Sequence, residues 1–451
     1  MIRKLFSSQL RLNMVSGTVV TVINSVAMMV AFPIYLHFLG YEKYGVWLVL
    51  ATVLSFAQLG NLGIGQAVMK LVAEEHGRGD IEGVQRYVTT ALALLCLSGS
   101  FVLIAVLVFK TQIIAAFYLS DENAKTVSRL LPYITILSIY VFVVQALNAT
   151  LSGFGRMDLA NYLQSISRIV AVTVAAILLC TGRGIESLLI GQTLSYVFIH
   201  IASLICIRRI ARIRLLRIVN LDNQRGRRLL SFGSGVFGSS VIRMLANPFN
   251  KLMLSRYAGV ASLPIYEVAF IGSMQIRGLI EAGLRALMPE ISRLSSDMGE
   301  LARQRISQIY QRAMMLIFLF GTIIYVALMI SAPVLLRLWL RERFVVTLPP
   351  AFRIMLIGSF LSLLGVPSYY LLMGVGRVRN VFVGTCIASV LSSVIVAFIG
   401  FTTTWLSPLI VSLCFIPAHA LSTIYKIWVS RSSRAKMLHN ESNVIQAKVP
   451  A

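Results

Sequence analysis

Runs of about twenty mostly apolar residues, each long enough to cross a bilayer as a helix, recur twelve times along this chain. They lie at 14–36, 44–66, 87–109, 130–152, 160–180 and 187–207, then at 229–250, 262–284, 313–335, 351–373, 381–399 and 405–425. The eighth is the most interrupted, by Glu267, Arg277 and Glu281. Of the 451 residues 57% are hydrophobic and 13% charged, whereas soluble domains carry roughly 25% charged residues. The solvent for most of the chain is therefore lipid. The first run exceeds the roughly 7–15 apolar residues of a signal-peptide core, so it is expected to stay as a span.

Charge sets the expected orientation. The 41 Lys and Arg give a net charge of +24, but they sit in gaps between apolar runs, not on a folded surface of the kind that binds nucleic acid. Counted from the N-terminal segment, alternate gaps hold 27 basic residues and the opposite gaps hold 10, with four inside spans. Positive charge stays cytoplasmic, which places both termini inside. The 208–228 connection alone holds eight arginines, as an anchor to anionic headgroups or a docking site for a partner enzyme. The five cysteines fall inside apolar runs without CxxC spacing, as small buried side chains.

The halves resemble each other. Leu-Ser-Gly-Phe-Gly-Arg closes the fourth span at 151–156, and Leu-Met-Gly-Val-Gly-Arg closes the tenth at 372–377, 221 positions later. Gly63 and Gly283 are offset by 220, as are Gly79-Asp80 and Gly299-Glu300, and Gln85-Arg86 returns as Gln311-Arg312. The expected organisation is an N-lobe at 1–207, a basic cytoplasmic linker at 208–228, a C-lobe at 229–427 and a cytoplasmic tail at 428–451. Halves with an even number of spans enter the membrane alike, and transporters built this way bind substrate between the lobes. The fold class is thus all-α and polytopic, with about 12 transmembrane helices in two six-helix lobes around a central cavity.

The four arginines within spans are Arg168, Arg243, Arg277 and Arg353. Each costs roughly 2.5–3.5 kcal/mol at mid-helix when unpaired, although Arg353 sits near a span end and can snorkel. Only Glu267 and Glu281 share the membrane with them, and Arg277 and Glu281 can neutralise each other at i, i+4. The surplus of positive charge predicts a wet cavity that receives an anion. Along the seventh span Ser239/Ser240, Arg243, Asn247 and Asn250/Lys251 form a polar stripe at three- and four-residue spacing, with Pro248 set to kink it. The first span has a milder stripe of Asn13, Gly17, Thr21 and Asn24, open to two readings: cavity lining or a helix–helix hydrogen-bonding seam. Arg168 is either cavity lining or half of a cytoplasm-facing pair. The Gly233–Gly238 match to GxGxxG has no preceding strand and reads as helix packing, His200 and His419 stand isolated on apolar helices, and no P-loop occurs. No cofactor or metal is expected.

At its start, Pro33-Ile-Tyr-Leu36, Leu39-Gly40, Tyr44-Gly45-Val-Trp47 and Asn61-Leu-Gly63-Ile64 resemble the opening of Wzx-type polysaccharide flippases. Those flippases belong to the multidrug/oligosaccharidyl-lipid/polysaccharide exporter superfamily. The paired Gly-x-Gly-Arg ends fit as well, and the layout covers the whole chain; family members commonly carry Asp where Asn61 stands. The resemblance implies a non-enzymatic flippase in a bacterial inner membrane, moving an undecaprenyl-diphosphate-linked oligosaccharide outward, with a polysaccharide polymerase and chain-length regulator as partners. On this reading Arg243, Arg277, Lys251 and Arg168, with Asn247 and Asn24, bind the substrate, while Glu267 couples protons. The rivals are a cation-coupled multidrug exporter, disfavoured because the first six spans as drawn hold no Asp or Glu, a membrane-embedded polymerase or ligase, which would need a larger outer loop, and a lipid II flippase, whose relatives usually have fourteen spans.

Overall fold

The computed structural model describes residues 8–211, 223–284, 287–296, 300–403 and 405–439, without the side chain of Arg243 and a few others. Among these residues the secondary structure is helical throughout, with no strand. The helices are α1 (Ser8–Ala57), α2 (Ile64–Gly77), α3 (Ile81–Val108), α4 (Lys110–Ala116), α5 (Asp121–Gly153), α6 (Met157–Cys180), α7 (Glu186–Ala211) and α8 (Asn223–Ala258). They continue as α9 (Leu263–Leu284), α10 (Leu287–Ser296), α11 (Glu300–Leu316), α12 (Thr322–Leu340), α13 (Leu348–Leu364), α14 (Val366–Gly374), α15 (Val378–Thr403) and α16 (Pro408–His439). Nine stretches of the described residues are long and apolar enough to cross a membrane. The first, Val15–Asn61, contains two of the expected spans, parted at Gly40, whose φ of 69° lies where only glycine is at ease. α8 and α9 hold the seventh and eighth apolar runs; with them the chain makes its twelve passes.

By packing, the chain divides into two units, Met1–Pro264 and Ile265–Ala451. α8 packs on α1, α2 and α3 of the first unit, one helix later than the repeat boundary read from sequence. Each unit is inside-out relative to a soluble domain. On α3 the residues Leu97, Phe101, Ile104 and Val108, at helical spacing, are 60–73% exposed, a face that only lipid can cover. Inside the first unit, Ile64, Leu71, Val88, Phe142, Leu151 and Ile207 are fully packed. In the second, the Tyr310 hydroxyl lies 3.1 Å from Ser368 Oγ, which in turn lies 3.2 Å from Ser430 Oγ. Of the cysteines only Cys414 is buried; Cys96 and Cys180 face outward, because an apolar run supplies a lipid face as readily as a core.

The repeated motif is a helix terminator. In the first unit the Arg156 N–H donates to the Leu151 carbonyl (3.1 Å) and the Gly155 N–H to that of Ser152 (3.0 Å). In the second, Arg377 donates to Leu372 (2.8 Å) and Gly376 to Met373 (3.1 Å). Gly155 and Gly376 sit at φ 75° and 77°, the left-handed turn of a Schellman end. Gly79 closes α2 likewise at φ 76°; its counterpart Gly299 lies outside the described residues. The other signature glycines allow backbones to touch. A Cβ at Gly45 would lie 2.1 Å from the Val260 carbonyl oxygen, and one at Gly63 would lie 2.3 Å from that of Gly233. Gly233, the start of the GxGxxG match, therefore serves packing.

Candidate functional site

Consider first the polar stripe of α1. Asn13 Nδ2 donates to the Gly155 carbonyl (2.9 Å), Asn13 Oδ1 accepts from the Asp158 N–H (3.0 Å), and Asn161 Nδ2 donates to Ser16 Oγ (2.9 Å). This end of the stripe is a seam between α1 and α6. It encloses Asp158, 2% exposed, which also accepts from Gln9 (2.8 Å) and from Arg156 Nε (3.1 Å). That hydrogen bond and the charge of Asp158 hold the Arg156 guanidinium more firmly protonated than a free arginine. α6 begins three residues before the expected span, so the first half does place a carboxylate at a membrane helix end. It is already engaged by an arginine.

Further along α1, Asn24 is half-buried, one turn before Met28. The Met28 sulfur receives Arg168 of α6, and Tyr35 and Tyr196 lie within electrostatic reach of the same guanidinium. No carboxylate contacts Arg168 among the described residues. On α8, Asn247 is half-buried, and Asn250 and Lys251 are 4% and 7% exposed. Lys251 lies well inside the helix, not in the outer gap drawn from sequence, because α8 runs on to Ala258. Its stripe ends where Ser255 donates to the Phe117 carbonyl (2.9 Å). The Arg243 side chain lies outside the described residues. Of the basic connection, Arg225 lies over the Tyr87 ring (5.1 Å) and Arg228 donates to Glu74 (2.8 Å), tying the start of α8 to α2 and α3; 212–222 lie outside the described residues.

The second unit contains a cluster that is only half visible in sequence. On α9, Glu267 is buried at 6% exposure, and ten residues later Arg277 Nη2 meets Glu281 Oε2 at 3.1 Å, the expected i, i+4 pair. Neutrality does not follow, because Lys426 of α16 lies within electrostatic reach of both Arg277 and Glu281. His419, two turns earlier on α16, is within reach of Arg277 and Lys426 and packs on the Phe415 ring at a centroid distance of 3.8 Å. Tyr325, which accepts a hydrogen bond from Ser359 (3.2 Å), also lies within reach of Arg277. Hydropathy leaves Lys426 just outside the last span, because the apolar run ends at 425. The available signal was periodic: His419, Ser422/Thr423, Lys426 and Ser430 form the same three- and four-residue stripe that drew attention to the seventh span. Arg353 is settled separately, its Nε donating to the Met329 carbonyl at 2.7 Å. No group of three or more metal-ligating side chains occurs among the described residues.

Comparison with known proteins gives three findings. A family profile described as "Polysaccharide biosynthesis protein" matches residues 10–295. A Shigella flexneri protein named "Putative O-antigen transporter" is 20% identical over 340 residues, covering 75% of this chain and 78% of that protein. Among solved structures, an inward-facing multidrug resistance MATE family transporter of the MOP superfamily superposes with a TM-score of 0.71 at 16% identity, covering 96% of each chain. A MOP superfamily transporter from Pyrococcus furiosus, described as having a binding pocket of reversed polarity, gives 0.63 at 16% identity over 94% of this chain and 96% of that one. Likeness at such identity establishes the fold: a polytopic, all-α architecture.

Proposed function

The chain belongs to the polysaccharide biosynthesis protein family, and from that premise we propose that it is a flippase for an undecaprenyl-diphosphate-linked oligosaccharide repeat unit. The repeat unit is carried from the cytoplasmic to the periplasmic leaflet of a bacterial inner membrane by alternating access, with both termini cytoplasmic. The observation that carries this reading is the charge of the second unit's interior. Arg277 and Lys426 cluster about the carboxylate of Glu281, with the buried Glu267 ten residues back along α9, on helices that cross the bilayer. Hydrocarbon cannot hold that surplus, whereas a diphosphate with about two negative charges matches it, and an arginine fork suits its oxygens. In the first unit Arg168, Lys251 and Arg243, with Asn247 and Asn24, supply further cationic and amide groups for acidic sugars and phosphate.

Energy comes from the membrane potential, worth about 2.3 kcal/mol per charge per 100 mV, because an anion leaving a negative interior moves downhill. Glu267 adds proton coupling by protonation and release in each cycle. The polymerase and chain-length regulator receive the product outside. The name of the Shigella relative supports this substrate class. The multidrug-exporter alternative is opposed by the engagement of Asp158 with Arg156, which leaves that carboxylate no free charge for a cationic drug.

Deleting the gene tests the proposal. Lipid-linked oligosaccharide is expected to accumulate on the cytoplasmic leaflet, and Arg243→Ala should reproduce that accumulation with the protein retained. Normal surface polysaccharide in the deletion strain, with drug hypersensitivity in its place, overturns it.

A further inference from the structure

The cluster in the second unit is half filled. A guanidinium carries five N–H donors in a rigid fork, yet Arg277 gives only one edge to Glu281, and its buried Nε has no hydrogen-bond partner among the described residues. Lys426 is positioned by a missing side chain on the neighbouring helix: a Cβ on Gly384 of α15 would lie 2.8 Å from Lys426 Cε and 2.9 Å from its Cγ. The lysine stem thus lies flat across α15, with its ammonium within reach of Arg277 and Glu281. α9 stands off from α13 and α16 and meets them through long side chains. Phe270 reaches Phe415 at a centroid distance of 5.9 Å, and a Cβ at Gly272 would lie 3.0 Å from the Phe352 ring. Two fixed cations, one carboxylate on a flexible stem and an open donor edge make a site for an anion larger than a carboxylate.

We propose that Arg277 and Lys426 form a diphosphate-binding site and that Glu281 is its resident competitor, a carboxylate that occupies the Arg277 fork until a diphosphate displaces it. This rests on the flippase reading and adds to it a reason why the site releases what it binds. With no internal anion, two cations in a low-dielectric interior would hold a diphosphate too long, and transport turnover is limited by dissociation. Glu281, one helical turn from Arg277, returns to the fork as the ligand leaves and costs the bound state like-charge repulsion while the ligand stays. The carboxylate therefore weakens binding and quickens turnover. A purely structural salt bridge would act otherwise, since its removal would loosen the site and harm both.

The test uses the full chain in lipid nanodiscs, with inorganic pyrophosphate as the calorimetric probe, and export measured in a deletion strain carrying each variant. Glu281→Gln should bind pyrophosphate more tightly, on the order of tenfold, while export falls. Lys426→Gln should lose at least as much affinity as Glu281→Gln gains, and Glu281→Asp, which keeps the charge, should stay near the parent in both. Equal or weaker pyrophosphate binding by well-folded Glu281→Gln overturns the competitor role, as does parental binding by Lys426→Gln. Should deletion accumulate lipid-linked sugar while these variants bind as the parent does, only this inference falls. Should no such lipid accumulate, the flippase reading itself falls, whatever pyrophosphate does.

Discussion

His200 and His419 stand 219 positions apart, at matching places in the sixth and twelfth passes, and each is followed three residues later by a serine, Ser203 and Ser422. Their surroundings differ. His200 stacks on Tyr140 at 5.3 Å between ring centroids. His419 lies within reach of Arg277 and Lys426. The glycines divide in the same way. Gly45 and Gly63 in the first unit admit neighbouring backbone, whereas Gly384 in the second admits the stem of a lysine. A repeated frame has thus been filled for two tasks: the first unit pairs its buried carboxylate Asp158 with Arg156, and the second sets Arg277 and Lys426 about the carboxylate of Glu281. If that contrast is real, matched substitutions should separate stability from transport.

The largest separation is expected at the glycines. Gly63→Ala places a Cβ in a left-handed conformation against the Gly233 carbonyl, adding about 1–2 kcal/mol of backbone strain to about 1–3 kcal/mol of overpacking. Membrane abundance and thermal unfolding should both fall. Gly384→Leu meets the stem of Lys426 and no backbone, so the protein should remain and export should drop as Lys426 is pushed aside. Loss of protein in both would erase the distinction. Next in size are the arginines. Arg277→Gln removes one partner of a half-buried charge pair, a loss of about 2–5 kcal/mol and so roughly thirtyfold or more in export. Arg168→Gln gives up a sulfur contact, a weak acceptor, and should cost far less. Equal losses would show that both units read the charge.

Much of this was legible from residue order because lipid leaves a chain few choices. Twelve apolar runs became twelve passes, and the Gly-x-Gly-Arg repeat became two Schellman ends with the same bonds in the same order. The failures came where a boundary had to be drawn by hydropathy. Asp158 and Lys426 each lie within two residues of an apolar run and fall outside the spans that hydropathy draws, and Lys251 borders the seventh. Helices extend past the hydrocarbon, and a long side chain can return its charge toward the interior. Lys426 does so because Gly384, distant in sequence, leaves space for its stem. The Arg277–Glu281 pair was readable as local spacing; the third charge that unbalances it was not, since nothing local joins α9 to α16.

The smallest effect expected is also the most direct probe of the repeat. His419→Phe keeps an aromatic ring against Phe415 but removes the ring nitrogens beside the two cations. A neutral hydrogen-bonding group in such a place contributes about 0.5–1.5 kcal/mol, so export should fall about threefold while pyrophosphate affinity shifts by a similar factor. His200→Phe preserves the stack on Tyr140 and relieves a buried Nδ1 that has no hydrogen-bond partner among the described residues, so export should hold and thermal stability should hold or rise. The pair must be read together, because each substitution removes the same atoms at the same position of the repeat. A loss confined to His419 assigns the chemistry to the second unit. A loss at His200 as large as that at His419 would mean that the first unit's histidine also meets the substrate, and the division of tasks drawn from Gly63, Gly384 and Arg277 would have to be abandoned.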